Sequence, residues 1–128
     1  MNIQRITKEP LDLYDEDLSN MNFNKYQKVS SKTANTDLST NDMIANYALG
    51  LVSEGGEVGD IIKKQLFQGH KANRDKVKDE LGDVLWYIAN LARMYDIPLE
   101  EVATYNILKL KRRFPEGFSA DKSINREE

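Results

Sequence analysis

The stretch LVSEGGEVGDIIKK, residues 51–64, decides how this chain is read. Its apolar residues recur at helical spacing, yet Glu54 and Glu57 sit beside them, around the pair Gly55–Gly56. At about 100° per residue, Ile44, Ala48, Leu51, Gly55, Val58 and Ile62 fall on one stripe. Glu54 then lies roughly 70° from the stripe's centre and Glu57 roughly 130°, both on the same side. The spacing predicts a helix from Asp42 to Phe67, capped by Thr40 or Asn41 and stopped by Gly69.

Working outward, QGHKAN is a short connection that suggests an antiparallel helical hairpin. Asn73 caps a third helix reaching Tyr95, with Val77, Leu81, Val84, Ile88, Leu91 and Tyr95 as its stripe. Glu80 and Asp83 occupy nearly the same two offsets as Glu54 and Glu57. DIP then breaks the chain, and Pro98 opens a fourth helix to Arg113. Upstream, residues 22–34 form a first helix through Phe23, Tyr26 and Val29, and NTDLSTND is a loop. Strand signals are nearly absent, so the expectation is an all-α bundle of about four helices. Residues 1–20 read as an N-terminal arm broken by Pro10, 21–119 as one helical domain, and 120–128 as a C-terminal tail.

The bulk composition narrows the class. The chain has 128 residues, which suits one domain, and is 40% hydrophobic and 30% charged. A net charge of −3 and a pI near 5.3 argue against nucleic acid as the main partner. No cysteine is present, which removes disulfides and thiolate chemistry. No apolar run reaches the roughly 20 residues of a membrane span, and the start lacks the apolar core of a secretory signal. A cytoplasmic protein with no membrane partner is expected.

The matching offsets place an acid pair along one flank of each hairpin helix, where two packed flanks meet around one pocket. Close carboxylates raise one another's pKa, and burial raises it further, so protons or cations must neutralise them. Hard oxygen donors in this number suit Mg²⁺, with Mn²⁺ as a substitute, rather than zinc. Gly55, Gly56 and Gly59 each cost a helix about 0.8–1 kcal/mol against Ala, and their use is close approach by a helix or a substrate. The competing reading is solvated surface charge on a non-catalytic helical module that oligomerises or binds a partner. On the fourth helix, Leu99, Val102, Ala103, Asn106 and Leu110 share a face, so the Asn106 amide needs a hydrogen-bond partner. Lys109 and Arg113 follow on the same side. His70, the single histidine, falls in a polar hairpin loop and reads as surface.

SEGGEVGDIIKK, DELGDVLWYIANLA and PLEEVATYNILKLKRRFPEGF together resemble the MazG-like all-α nucleoside triphosphate pyrophosphohydrolases. That family carries E-x-x-E on one helix and E-x-x-D on the next, as Glu54, Glu57, Glu80 and Asp83 do here. The likeness covers residues 21–119. It implies that the four acids bind Mg²⁺, which holds a nucleoside triphosphate while water attacks the α-phosphorus and pyrophosphate leaves. One acid, with Glu57 favoured, orients or deprotonates the water. The resemblance assigns Asn106, Lys109 and Arg113 to the phosphates, with Lys63 and Lys64 as further candidates or solvated lysines. It places Trp86 or Tyr87 against a base, although core packing is the commoner fate of such rings. Tyr26 and Gln27 match a "YQ" that helps wall the base pocket. It also implies sites built between subunits, hence a homodimer or a dimer of dimers.

Other phosphohydrolase classes fit poorly. Histidine-based metal sites need more than one histidine, and no G-x-x-x-x-G-K-[ST] phosphate loop or Nudix-like Gly–Glu box is present. Serine or cysteine nucleophiles lack a plausible base.

Overall fold

A computed structural model describes residues 18–126; most of the arm expected at 1–20 lies outside the described residues. The chain runs α1 (Phe23–Ser30), a 3₁₀ turn (Ser31–Thr33), α2 (Thr40–Phe67), α3 (Arg74–Met94), α4 (Leu99–Arg113) and α5 (Ala120–Ile124). Among the described residues there is no named strand, and the fold is all-α.

Side-chain caps set the helix starts. The Asn22, Ser39, Asn73 and Ser119 side chains accept from the backbone N–H three residues on, at Lys25, Asp42, Lys76 and Lys122. The α2 cap is thus Ser39, not Thr40 or Asn41. At the other end Gly69, at φ 72°, turns the chain out of α2 in the left-handed conformation expected of a glycine stop. The first helix is shorter than expected. The hydroxyls of Ser30, Ser31 and Thr33 donate to the carbonyls of Gln27, Lys28 and Ser30, at 3.0, 2.6 and 2.9 Å. Such back-bonding competes with the helical ladder and tightens its end into a 3₁₀ turn.

The principal packing pair is the α2–α3 hairpin, with α1 laid across α3 and α4. The buried set is Val29, Ser30, Met43, Tyr47, Ala89, Asn90, Ala92 and Leu99. It gathers the end of α1, the first half of α2, the second half of α3 and the start of α4. The stripe expected on α2 is rotated: Ala48, Gly55 and Ile62 are exposed, whereas Met43 and Tyr47 are buried. Gly50 accommodates the rotation: a methyl group built there would overlap the Tyr87 ring of α3, which packs directly on the α2 backbone. By contrast, a Cβ at Gly55, Gly56 or Gly59 meets nothing within 4 Å, so no neighbouring helix among the described residues packs against them.

Many large apolar side chains remain outside the core. Leu49, Val52, Leu66, Phe67, Tyr105 and Phe118 are each 64–80% exposed.

Candidate functional site

The rotation of α2 brings Glu54 into the hairpin seam, half-buried, facing α3. There it meets half-buried Glu80 and exposed Asp83, and a carboxylate oxygen from each lies within 4.8 Å of the others. Glu57, one turn beyond Glu54, is exposed and stands outside this trio. Its charge nevertheless reaches Glu80.

The electrostatics are those of crowded anions. Desolvation first, then the carboxylates of Asp83, Glu54, Glu57 and Asp79, push the Glu80 carboxyl above its ordinary value. Desolvation, then Asp79, raises Asp83. Asp79 is a fifth acid that the E-x-x-D pattern passes over, although it directly precedes Glu80 in sequence. Burial, then the Asp83 charge, also raises the Tyr26 phenol. An all-carboxylate donor set under mutual repulsion fits a hard divalent cation.

Beside the acids opens a pocket of about 360 Å³, lined by Thr33, Glu54, Asp83, Trp86 and Tyr87. One side is acidic and the other aromatic. Trp86 packs edge-to-face on both Tyr47 and Tyr87, with centroids 5.6 and 5.0 Å apart. Its indole N–H donates to the Ser30 carbonyl at 3.1 Å and to Thr33 Oγ1 at 2.9 Å. Trp86 therefore serves both as packing and as pocket wall. Thr33 escaped the sequence reading because only the 3₁₀ turn aims it at this pocket.

The other expected residues lie elsewhere. Gln27 holds no free edge toward the pocket: its amide donates to the carbonyls of Ala89 and Ile97, at 3.1 and 2.9 Å, and accepts from Leu99 N at 3.0 Å. It fastens α1 to the α3–α4 turn. Lys63 and Lys64 pair with Asp60 on their own helix, at 3.3 and 2.6 Å. Asn106 is exposed, so its amide does not lie within an apolar seam of this chain. Lys109 is exposed and Arg113 half-buried; neither they nor Asn106 line the acidic pocket of this chain. His70 is exposed, as expected.

A helical hairpin that gathers carboxylates beside an aromatic pocket defines an all-α protein with a candidate divalent-cation site. Residues 43–118 match the model of the MazG nucleotide pyrophosphohydrolase domain, and the chain belongs to that family. It is also similar to the Gene 37 protein of Mycobacterium phage L5, with 34% identity over 114 residues, spanning 83% of this chain and 100% of the phage protein. No solved structure matches it. No helix among the described residues is long and apolar enough to cross a membrane.

Proposed function

We propose that the chain is a Mg²⁺-dependent pyrophosphohydrolase, converting a nucleoside or deoxynucleoside triphosphate to the monophosphate and pyrophosphate. The observation that carries this reading is the convergence of Glu54, Glu80 and Asp83 at the mouth of an aromatic-walled pocket. These three would hold the metal, with Mn²⁺ as a substitute, and Glu57 would join them or act on water from the edge of the cluster. A bound divalent ion would offset charge on the triphosphate and on the departing pyrophosphate, and acidify a water molecule.

In the hydrolytic step, a water oxygen bonds to the α-phosphorus as the bond from that phosphorus to the bridging oxygen breaks. Glu57 takes the water's proton; the electron pair leaves with pyrophosphate. Trp86, which lines the pocket beside Glu54 and Asp83, is the candidate to contact the base. Asn106, Lys109, Arg113 and Lys63 are the candidates for the phosphates.

Those α4 groups and the acids belong together most simply across two copies of the chain. The exposed Leu49, Val52, Leu66, Phe67 and Phe118 supply apolar surface for a homodimer or a dimer of dimers. Such an enzyme would cleanse or regulate a cytoplasmic nucleotide pool. Light scattering on an eluting peak that gives a monomer at micromolar concentration would remove the shared site.

The direct test is incubation with each NTP and dNTP plus Mg²⁺, reading pyrophosphate release. No turnover of any nucleotide, with Glu57→Ala indistinguishable from wild type, would end the proposal. The same exposed apolar faces favour the second reading, a non-catalytic oligomerising or binding module. On that reading Mg²⁺ leaves the melting temperature unchanged.

A further inference from the structure

Asn90 is completely buried, at 0% exposure, a position where an apolar side chain would ordinarily serve. Its amide donates to Ser30 Oγ at 3.3 Å and to the Trp86 carbonyl at 2.9 Å, and its oxygen accepts from Arg93 Nε at 3.3 Å. Ser30 in turn gives its carbonyl to the Trp86 indole N–H at 3.1 Å and to the Thr33 hydroxyl at 2.9 Å. The bonds close a cycle: from Asn90 to the Trp86 backbone, through the indole to Ser30, and back to Asn90. Trp86 is thereby tied at its indole to Ser30 and at its carbonyl to Asn90, and Ser30 leads into the 3₁₀ turn bearing Thr33. Arg93 extends the network to the Tyr47 hydroxyl at 3.4 Å, and the Tyr47 ring abuts Trp86.

We propose that Asn90 is a positioning residue for the acidic pocket: by binding Ser30 and the Trp86 carbonyl at once, it fixes the indole and Thr33 as a rigid pocket wall. Asn90 touches no pocket volume itself. A buried polar cycle of this kind specifies one arrangement of α1 on α3, because each broken bond strands a partner away from water. Without it, α1 keeps the Gln27 bonds to the α3–α4 turn, but Ser30 loses its side-chain tie to α3 and the two indole acceptors are held less firmly. That this wall faces a nucleotide rests on the pyrophosphohydrolase reading; the hydrogen-bonded cycle does not.

Trp86 is the single tryptophan, so emission excited at the red edge, where the six tyrosines do not absorb, reports this wall alone. The test compares wild type, Asn90→Leu, Ser30→Ala and the double variant in the full chain, each first shown to melt cooperatively. The two single variants cut the same bond from opposite sides. The expected result is a red-shifted, more acrylamide-quenchable Trp86 in each, with no further change in the double variant, the mark of coupled residues. The nucleotide KM rises roughly tenfold while kcat stays within about threefold, since the wall contributes binding remote from the reacting phosphorus. If Asn90→Leu fails to fold, Ser30→Ala alone decides. Unchanged emission and quenching in a folded variant, or effects that simply add in the double variant, would overturn the proposal. If the wild-type protein hydrolyses no nucleotide, the function proposed above falls, and fluorescence still judges the role of Asn90.

Discussion

Glu54 on α2 and Asp83 on α3 bring carboxylate oxygens within 4.8 Å of one another across the hairpin seam, with Glu80 completing the group. Such a group is unfavourable alone and favourable around a cation, so metal binding and folding are linked. Mg²⁺ at a hundredfold excess over its Kd should stabilise the protein by about 2.7 kcal/mol, because it binds only the folded form. Asp83→Asn and Glu54→Gln should each lower Mg²⁺ affinity by at least about 10–100-fold, the loss that even outer partners of a metal cause. Thermal melts with and without Mg²⁺ measure this. Equal Mg²⁺ shifts in wild type and variants would exclude the trio as the site.

Glu57 stands outside the trio and is exposed, which separates its expected behaviour from that of its neighbours. If it acts on water, Glu57→Gln should retain most of the Mg²⁺-induced stabilisation yet lose about 10²–10⁴-fold in kcat. Parallel melts and pyrophosphate assays on one preparation distinguish the two effects. A variant that loses stabilisation and turnover together would make Glu57 a metal ligand instead.

The gross fold was legible because it rests on local signals. Asn73 caps α3 and Gly69 ends α2 through bonds and torsions that need only nearby residues. The rotation of α2 was not legible. It depends on Gly50 admitting the Tyr87 ring, a contact between residues distant in sequence, and a stripe drawn at fixed angular steps has no access to it. The same rotation moves Glu54 from the flank into the seam. Gln27 shows the opposite difficulty. Its position on α1 is plain in the sequence, but its three long-range bonds to the α3–α4 region are not. Thr33 and Asn90 carry no sequence signal at all, since their roles exist only once α1 lies on α3.

The raised pKa values of Glu80 and Asp83 make a pH-dependent prediction. In the metal-free protein both carboxyls hold protons more tightly when folded than when unfolded. Their contribution therefore favours the fold fully below the ordinary values of 4.5 for Glu and 3.8 for Asp, and is lost as pH rises through the higher folded values. Mg²⁺ runs the other way, because it competes with those protons. The Mg²⁺-induced rise in melting temperature should be near zero at low pH and grow with a midpoint above 4.5, the ordinary glutamate value. A shift that is constant from about pH 4 to 8 would contradict the crowding of these groups, since ligand deprotonation governs metal affinity.

Gly50 and Gly55 lie on the same helix, and the structure assigns them opposite responses to an added methyl group. At Gly50 the methyl overlaps the Tyr87 ring, whose neighbour Trp86 is held by two hydrogen bonds and has little room to retreat. Gly50→Ala should destabilise the protein by about 1–3 kcal/mol, the usual consequence of overpacking, and should disturb Trp86 emission. At Gly55 the methyl meets open space, so the ordinary helix preference for alanine operates. Gly55→Ala should stabilise the free chain by about 0.8–1 kcal/mol. Denaturant titrations of both variants, without metal or nucleotide, read the two signs directly. Finding Gly50→Ala as stable as wild type would mean that the α2–α3 seam is looser than described, and with it the spacing that brings Glu54 to Asp83.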